Sequence, residues 1–504
     1  MSKGTKQFIS LLLLSSFAAS TFACGAPEPS GDETTSADTT AEETTLSPED
    51  ARLAVDDELP DKDFEGQTYT ILTYDQHKAD VFSEGYDGDV INDAVYERNE
   101  KVSERFNVTL DVMSQPTQAE LVTFANTAIM AGDDTFQLVA CHVVQLGSSI
   151  MQGLYMNWYD IPHIDFSKPW WSPSTTNDLT YGDDKALIAV GDLALSSLAA
   201  TYCYFYDKTD AETYKIEDLY DVVWDGKWTI DYVMQVTKDI YEDLNGNGER
   251  DEEDYYGMTQ QMQSALNTYL WSCGGKVMQK NAQGIPELVY KTEKTNNIIE
   301  KLYQLCYESE GVCTARKFDQ SMVTSSADDV IHYIGAISFK ENMTLMTAGT
   351  LDMTINYFRD KSTEYGILPY PKYDEAQEDY YTMVDGYHAA LAIPKSVQDL
   401  DFVGIITEAL NAESYKIVFP AYYEVALKTK YAYDDESVQM LDMIVDSRIF
   451  DFGYVYDGWK GMSFYFQTII YTNKSKDFES YYAKNSSSAI KYYDELLEFF
   501  EEME

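Results

Sequence analysis

Positive charge is scarce in this 504-residue chain, which has 36 Lys and Arg against 86 Asp and Glu and a formal net charge of −50. A surface of that sign repels phosphate backbones, which argues against nucleic acid as a partner. It also repels anionic membranes and anionic ligands wherever no local basic pocket intervenes. The partners that remain are neutral or cationic ligands and metal ions.

Histidine and cysteine are scarce too. Five His and no CxxC spacing leave few candidates for a zinc site, and no nucleophile elbow, HExxH or phosphate-binding loop occurs. With Cys24 set aside, five cysteines remain, an odd number that cannot form a fully paired framework. Cys306 and Cys313 are close enough in sequence to pair, and buried free thiols are the alternative.

The N-terminus has the anatomy of an export signal. Lys3 and Lys6 precede an apolar run, residues 8–20, that is too short for a permanent membrane anchor. The following TFACG resembles a bacterial lipobox, with Thr21 where leucine is usual. This predicts a signal peptide over residues 1–23 and lipid modification of Cys24. The alternative is ordinary secretion without a lipid.

A tether is predicted after the signal. Residues 25–50 are rich in Thr, Ser, Pro and acids and have almost no apolar side chains to bury, so they should stay disordered. We therefore assign residues 24–63 to a lipidated N-terminus and tether, and expect the folded region to begin near Phe64. The protein would sit on the extracellular face of the cell membrane and contact the bilayer through its lipid alone.

The body alternates strand and helix patterns. TYTILTYD has strand composition, and INDAVYERNEKVSERFN places apolar side chains on one helical stripe. A β-α-β-α-β order predicts a parallel sheet with right-handed crossovers. The predicted elements are strands at 68–75, 108–114 and 136–144 and helices at 91–107, 117–131, 230–240 and 489–500.

Several segments in the same order resemble one family. INDAVYERNEKVSERFNV, LSSLAATYCYFYDK, WDGKWTIDYV and YGILPYPKYDEAQEDYYTMVDGYHAALAIPKS are similar to carbohydrate-type (family 1-like) extracellular solute-binding lipoproteins of ABC importers from Gram-positive bacteria. AESYKIVFPAYYEVALKTKYAYDDESVQMLDMI resembles the late helical region of a clostridial subgroup. The resemblance covers nearly all of residues 64–480.

The resemblance implies an α/β, type II periplasmic-binding-protein fold. Two α/β lobes, joined by hinge crossings, would close on a ligand and present it to the permease subunits of an ABC transporter. The implied division is 64–194 plus 336–394 for lobe one and 195–335 plus 395–504 for lobe two. We expect a monomer without enzymatic activity.

A calcium-loop pattern lies at residues 243–254, DLNGNGERDEED. Side-chain oxygens alternate around Gly248, and oxygen ligands without nitrogen or sulfur suit Ca²⁺. The predicted ligands are Asp243, Asn245, Asn247, Glu249 through its carbonyl, Asp251 and Asp254. A single loop is more consistent with a structural clasp than with a switch. A solvated acidic turn is the alternative.

The 41 Tyr and 7 Trp favour a neutral sugar or oligosaccharide as the ligand, because aromatic faces stack on sugar rings. Most of these rings should simply be core or surface. Aromatic and acidic residues near the implied crossings and in the late region are the candidates for contact. They are Trp170, Trp171, Tyr202, Tyr204, Trp271, Asp385, Tyr387, Tyr422, Tyr423, Glu424 and Trp459.

Three other functions stay open. A glycoside hydrolase needs two carboxylates across a sugar, and 86 acidic residues offer many pairs. A peptide or amino-acid receptor would favour an arginine at the crossings, and none occurs in 195–208 or 380–396, which favours the sugar. A calcium-stabilised adhesin is the third. The pattern does not identify the sugar, its linkage or the permease.

Overall fold

The first strand and helix form where the residue pattern predicts them. In the computed structural model, which describes residues 47–314, 330–423, 425 and 435–503, a strand spans Gln67–Tyr74 and a helix spans Val90–Phe106. The helix begins at Asp89, whose carboxylate accepts hydrogen bonds from the Ile91 and Asn92 amides. It ends at Asn107, which adopts a left-handed conformation (φ 48°). Local capping therefore sets both ends of this helix.

The strands of the described residues follow in chain order. They are β1 (Gln67–Tyr74), β2 (Val108–Gln115), β3 (Leu138–His142), β4 (Tyr202–Asp207), β5 (Tyr241–Glu242), β6 (Tyr255–Thr259), β7 (Met278–Lys280), β8 (Pro286–Leu288), β9 (Val312–Cys313), β10 (Thr344–Thr350), β11 (Tyr365–Leu368), β12 (Thr382–Met383), β13 (Ala389–Ala392) and β14 (Arg448–Ile449).

The helices of the described residues also follow in chain order. They are α1 (Pro48–Leu53), α2 (Lys78–Val81), α3 (Val90–Phe106), α4 (Gln118–Met130), α5 (Val143–Gly147), α6 (Pro173–Asn177), α7 (Ser196–Ala199), α8 (Lys208–Thr213), α9 (Leu219–Trp224), α10 (Ile230–Thr237), α11 (Ser264–Ser272), α12 (Glu293–Tyr303), α13 (Val330–Lys340), α14 (Met353–Asn356), α15 (Leu400–Glu413), α16 (Asp435–Asp446), α17 (Phe452–Val455), α18 (Tyr465–Gln467) and α19 (Phe478–Glu501). Within the described residues, none of the helices is both long and apolar enough to cross a membrane.

The first sheet has the order β13-β3-β1-β2. β1 pairs in parallel with both β2 and β3, while β13 runs antiparallel to β3. The intervening helices α3 and α4 provide the crossovers. Helix α4 is capped by Thr117, whose hydroxyl accepts from the Glu120 amide over 3.2 Å and donates to the Glu120 carboxylate over 2.9 Å. The predicted β-α-β-α-β start and its parallel sheet are confirmed.

The second sheet has the order β11-β4-β10-β6-β5, and β9 also pairs with β6. β10 and β6 are parallel, and β4 runs antiparallel between β10 and β11. β10 and β11 lie in the stretch 336–394, which the predicted division assigns to lobe one. That assignment needs correction, because these strands pair with β4 and the chain returns to the first sheet only at β13.

Helix α15 needs the opposite correction. It lies beyond residue 394 and so in the predicted lobe two, but it packs on α3 and on the first sheet. Phe402 makes edge-on ring contacts with Phe64 and with Tyr69 of β1. Helix α15 is strongly apolar and almost entirely buried, which explains why it packs in the hydrophobic core beside the first sheet.

Two segments that lie side by side connect the first sheet to the second. Thr201 and Val384 form an antiparallel bridge, and the Asp385 amide donates to the Ala200 carbonyl oxygen over 2.9 Å. The Ser196 hydroxyl accepts from the Ala389 amide over 2.9 Å. We call residues 196–201 the first crossing and residues 384–388 the return crossing. Their pairing fixes one crossing against the other.

The folded body starts earlier than Phe64. The compact unit runs from Ala51 to Glu504. Asp57 is almost fully buried and its carboxylate accepts from the Arg105 guanidinium, with one contact of 3.0 Å. This ion pair explains why part of the predicted tether belongs to the body. Residues 1–46, which include the predicted signal peptide and Cys24, lie outside the described residues.

Cys141, Cys203, Cys273 and Cys306 are buried free thiols. Cys306 therefore forms no disulfide with Cys313, which settles the choice left open by the sequence. Burial raises the pKa of the Cys273 thiol to about 12, so this thiol is neutral and inert at physiological pH.

Candidate ligand-binding site

A cavity of about 400 Å³ is lined by residues from both sheets. On the first sheet, Gln76 follows β1, Gln118 opens the helix after β2, and His142 ends β3. These three positions mark the carboxyl ends of parallel strands. In open α/β sheets, ligands bind at this edge.

The second sheet contributes its corresponding edge. Gln261 and Ser264 follow β6, and Gly349 and Thr350 end β10, its parallel neighbour. The cavity, which we call the cleft, therefore faces the carboxyl ends of parallel strands on both sides. A cavity of this size can hold a small ligand.

Asp385 of the return crossing lies where the two sides meet. Its Oδ2 accepts from the Tyr202 hydroxyl over 2.8 Å, and its Oδ1 accepts from the Tyr387 amide over 3.0 Å. Both oxygens are thus oriented by neighbours that also line the cleft. The remaining acceptor capacity of the carboxylate is available to ligand hydroxyls.

His77 ties the loop after β1 to the return crossing. Its Nε2 lies 2.6 Å from the Tyr387 carbonyl oxygen, and its Nδ1 lies 2.9 Å from Asp80 Oδ2. The imidazole ring is stacked on the Tyr387 ring, with centroids 6.0 Å apart. His77 therefore positions Tyr387, and no sequence pattern pointed to it.

The charged groups of the cleft are all acidic. Among the described lining residues, Asp352 and Asp385 are the carboxyl groups and no Lys or Arg is present. Burial raises the pKa of Asp352, whose carboxyl accepts from the Thr350 hydroxyl over 2.5 Å. Burial also lowers the pKa of His142 to about 3, so its imidazole is neutral. Such a lining disfavours an anionic ligand.

Five glutamines are among the neutral polar residues that line the cleft. The Gln261 side-chain oxygen accepts from the Gln263 and Ala265 amides over 2.8 and 2.9 Å. The Gln467 side-chain oxygen accepts from the Asn267 amide group over 2.8 Å. Because an amide group both donates and accepts, each fixed glutamine can match a hydroxyl group in either sense.

Trp459 presents an open aromatic face at the cleft. It is 52% exposed, and its indole Nε1–H donates to Gln145 Oε1 over 3.1 Å. Phe464 is stacked against it, with centroids 4.8 Å apart and an interplanar angle of 25°. The ring is thus held in place while keeping exposed surface, as a stacking platform requires.

The structure brings four of the predicted contact residues into the cleft. They are Tyr202, Asp385, Tyr387 and Trp459. Three come from the crossings or the strand that follows the first one, and Trp459 comes from the late region. Their contact with a ligand remains a prediction.

The other tryptophans predicted to contact the ligand are buried away from the cleft lining. Trp170 and Trp171 donate from Nε1 to the two oxygens of Glu408, both over 2.9 Å. Trp271 donates to Asp451 over 3.0 Å. Their aromatic surface fills the core, because a buried carboxylate satisfies each indole N–H.

The remaining predicted tyrosines are also buried. Tyr204 lies two residues after Tyr202, on the same face of β4 but further from the end of the strand that reaches the cleft. It is fully buried, and its hydroxyl bonds to that of Tyr269. Tyr422 and Tyr423 pack in a hydrophobic cluster with Leu441. Glu424 lies outside the described residues.

In the predicted calcium loop, carboxylate oxygens accept hydrogen bonds from backbone amides of the same loop. Asp243 accepts from the Gly246 and Gly248 amides over 2.7 and 2.8 Å, and both glycines have positive φ. Asp254 is fully buried and accepts from the Leu244 and Asp251 amides over 3.2 and 3.0 Å.

The predicted ligand side chains lie close together. The Asn245 and Asn247 amide groups donate to the Asp251 carboxylate, with shortest distances of 3.1 and 2.6 Å, and the Glu249 carbonyl oxygen accepts from the Tyr241 hydroxyl over 3.1 Å. Across the described ranges, no group of three or more His, Cys, Asp or Glu is arranged as a metal site. The oxygen-only donor set nevertheless fits the chemistry of calcium.

Sequence reasoning missed much of the cleft. His142, Asp352 and the glutamines line it, yet glutamine carries no motif and the aspartate was one of many acids. For Gln76, His142, Gln261 and Asp352 the usable signal was position, because each lies at or just after the end of a strand. Gln467, at the end of α18, had no such signal.

Comparison with known proteins places the fold. No family model matches the chain, and no curated protein matches it either. Among solved structures, it is similar to the galacto-N-biose/lacto-N-biose I-binding protein of an ABC transporter from Bifidobacterium longum, in complex with lacto-N-biose. The TM-score is 0.57 at 13% identity, over 87% of this chain and 99% of that one.

Two further structures are alike over a similar length. M. tuberculosis UspC gives a TM-score of 0.54 at 11% identity, over 84% of this chain and 100% of that one. Maltose-bound T. maritima MalE3 gives 0.50 at 13% identity, over 86% and 100%. The chain therefore has the α/β fold of solute-binding proteins, the type II fold that the sequence predicted.

Proposed function

We propose that this protein is an extracellular substrate-binding lipoprotein that captures a neutral carbohydrate, such as an oligosaccharide, and delivers it to the permease of an ABC transporter. The cleft carries the proposal. Glutamine amides, two carboxyl groups and the exposed Trp459 ring line it, and its described residues include no Lys or Arg. Hydroxyl groups and the C–H face of a sugar ring match this lining.

The solved structures support the same direction. One similar protein is bound to lacto-N-biose and another to maltose. Binding without turnover is proposed for this chain, with closure of the two α/β lobes around the ligand as a monomer. The lipid on Cys24 would hold the protein at the outer face of the membrane.

A thermal-shift screen against mono- and oligosaccharides tests the proposal. We expect one glycan class to raise the melting temperature, with no product released on prolonged incubation. If no glycan of a broad set changes the melting temperature and peptides raise it, the cleft ligand is a peptide and not a sugar.

A glycoside hydrolase is the second candidate, because Asp352 and Asp385 line one cleft and burial raises the pKa of Asp352, as a general acid needs. Release of shortened glycans that the Asp352→Asn variant no longer produces would favour this function over capture.

We also propose that the loop 243–254 binds a structural calcium ion through Asp243, Asn245, Asn247, the Glu249 carbonyl, Asp251 and Asp254. Removal of calcium with EGTA should then lower the melting temperature without abolishing ligand capture, and Asp243→Asn should remove this sensitivity. An unchanged melting temperature in EGTA would contradict the proposal.

A further inference from the structure

A second cavity, of about 460 Å³, shares none of its described lining residues with the cleft. It is bounded by Trp171, Asp192, Tyr415, Phe419 and Arg448. Asp192 lies four residues before the first crossing, and Ser197 of that crossing also lines the cavity. Arg448 begins β14, which pairs with β12 just before the return crossing. The cavity therefore adjoins both crossings, and the arginine that the crossing sequences lack reaches it from the late region.

Arg448 has hydrogen-bonding capacity left over. Its Nε donates to the Val445 carbonyl oxygen over 2.9 Å, and one terminal nitrogen donates to the Ser197 carbonyl oxygen over 3.3 Å. In the described part of the chain, it forms no ion pair within 4.0 Å. These bonds hold the guanidinium in place without neutralising its charge. A carboxylate is its natural partner, because the planar fork can bind both oxygens.

Asp192 faces the same cavity as Arg448. Burial raises the pKa of the Asp192 carboxyl to about 8, because the positive charge of Arg448 offsets only part of the burial effect. Near neutral pH this carboxyl is therefore protonated, and an ammonium group bound beside it would favour the carboxylate. A guanidinium and an acidic group on one cavity match a molecule that itself carries a carboxylate and an ammonium.

The walls of the cavity between these charges are aromatic. Phe419 and Tyr423 are stacked with centroids 5.8 Å apart, and the buried Trp171 ring closes one side. Tyr423 donates its hydroxyl to Asp442, so its ring presents carbon to the cavity. Asp442 and Asp446 also lie on the rim and add negative charge, which disfavours a purely anionic occupant.

We propose that this second cavity binds an α-amino acid with an apolar side chain, its carboxylate on Arg448, its ammonium on Asp192 and its side chain among the aromatic rings. Such an occupant compensates both charges at once and buries apolar surface. This site is separate from the sugar cleft and goes beyond the proposed function.

Calorimetric titration of the purified protein with leucine and phenylalanine tests the proposal. We expect one binding site, with N-acetyl-leucine and leucine methyl ester at least tenfold weaker, because each lacks one of the two charges. No binding of either amino acid, or binding of either analogue as tight as that of leucine, would overturn it.

Variants test the assigned partners. Asp192→Asn and Arg448→Gln should each weaken leucine binding at least tenfold, while the exposed Asp239→Asn should not change it. If Arg448→Gln fails to fold, Arg448→Lys is the substitute test. It keeps the positive charge but loses the planar guanidinium, and should also bind leucine more weakly. Unchanged affinity in the folded Asp192 and Arg448 variants would contradict the assignment.

A photoreactive leucine analogue locates the site. Labelling within residues 415–423 is expected. Labelling within residues 454–467 instead would show that the amino acid occupies the cleft, which would overturn this inference and the sugar proposal together.

Discussion

Trp171 and Trp459 both stood out in the sequence as aromatic candidates for the ligand, yet they occupy different environments. Trp171 is buried, and its indole N–H donates to the buried carboxylate of Glu408. Trp459 is half exposed at the cleft and bonds to Gln145. The contrast teaches that an aromatic candidate can serve as a stacking platform only where its face stays open, and that a buried acid partner marks a core role.

The largest expected effect is the loss of stability on substitution of the buried Trp171. Trp171→Ala should lower the free energy of unfolding by about 3–5 kcal/mol, because it leaves a cavity and an unpaired Glu408 oxygen. Urea unfolding followed by circular dichroism measures it. The exposed Trp224→Ala is the matched control and should change stability little. Equal losses in the two variants would remove the contrast.

The Glu408 carboxyl should make stability depend on pH. Burial raises its pKa to about 8, so the folded state holds a proton that the unfolded state releases above its ordinary value of 4.5. This contribution is fully present below 4.5 and is lost as the pH rises through the folded pKa. Between pH 5 and 8 the free energy of unfolding should therefore fall by about 3–4 kcal/mol.

Glu408→Gln provides the control for this pH dependence. The variant should be less stable overall, because one indole N–H loses its acceptor, but its unfolding free energy should vary less between pH 5 and 8. Urea midpoints at several pH values measure both effects. An identical pH profile in the two proteins would show that other groups cause it.

Substitution of the exposed Trp459 should affect ligand binding instead of stability. Trp459→Ala should weaken the glycan found in the thermal-shift screen at least tenfold, about 1.4 kcal/mol, because the stacking face is lost. The melting temperature of the free protein should stay close to that of wild type. Trp224→Ala serves as the control with similar exposure, and should bind normally.

The smallest effect is expected from the hydroxyl that orients Asp385. Tyr202→Phe removes a hydrogen bond of 2.8 Å and should cost about 1 kcal/mol of ligand affinity, roughly fivefold, with the ring packing kept. Calorimetry with the same glycan measures it. An affinity equal to wild type would mean that the Tyr387 amide alone positions the carboxylate.

The opening of the chain was predictable because its signals are local. The strand composition of β1, the apolar stripe of α3 and the capping box of α4 each depend on neighbouring residues. The division into lobes was less accessible, since strand order depends on pairing across distant residues. β10 and β11 pair with β4, which no local pattern indicates.

The site shows the same limit. Asp385 and Tyr387 were found because the return crossing has a recognisable sequence, whereas His77 and the glutamines carry none. The crossing sequences did not indicate Arg448, for a related reason. Arg448 is far from both crossing segments in sequence, but its terminal nitrogen donates to Ser197 of the first crossing.

The sequence alone determined the negative charge, the alternating strands and helices and the oxygen-rich loop at 243–254, since composition and spacing carry these directly. Only the tertiary structure decided which aromatic rings stay open and which acids sit beside them. Exposure depends on what packs against a side chain from elsewhere in the chain, as Glu408 does for Trp170 and Trp171.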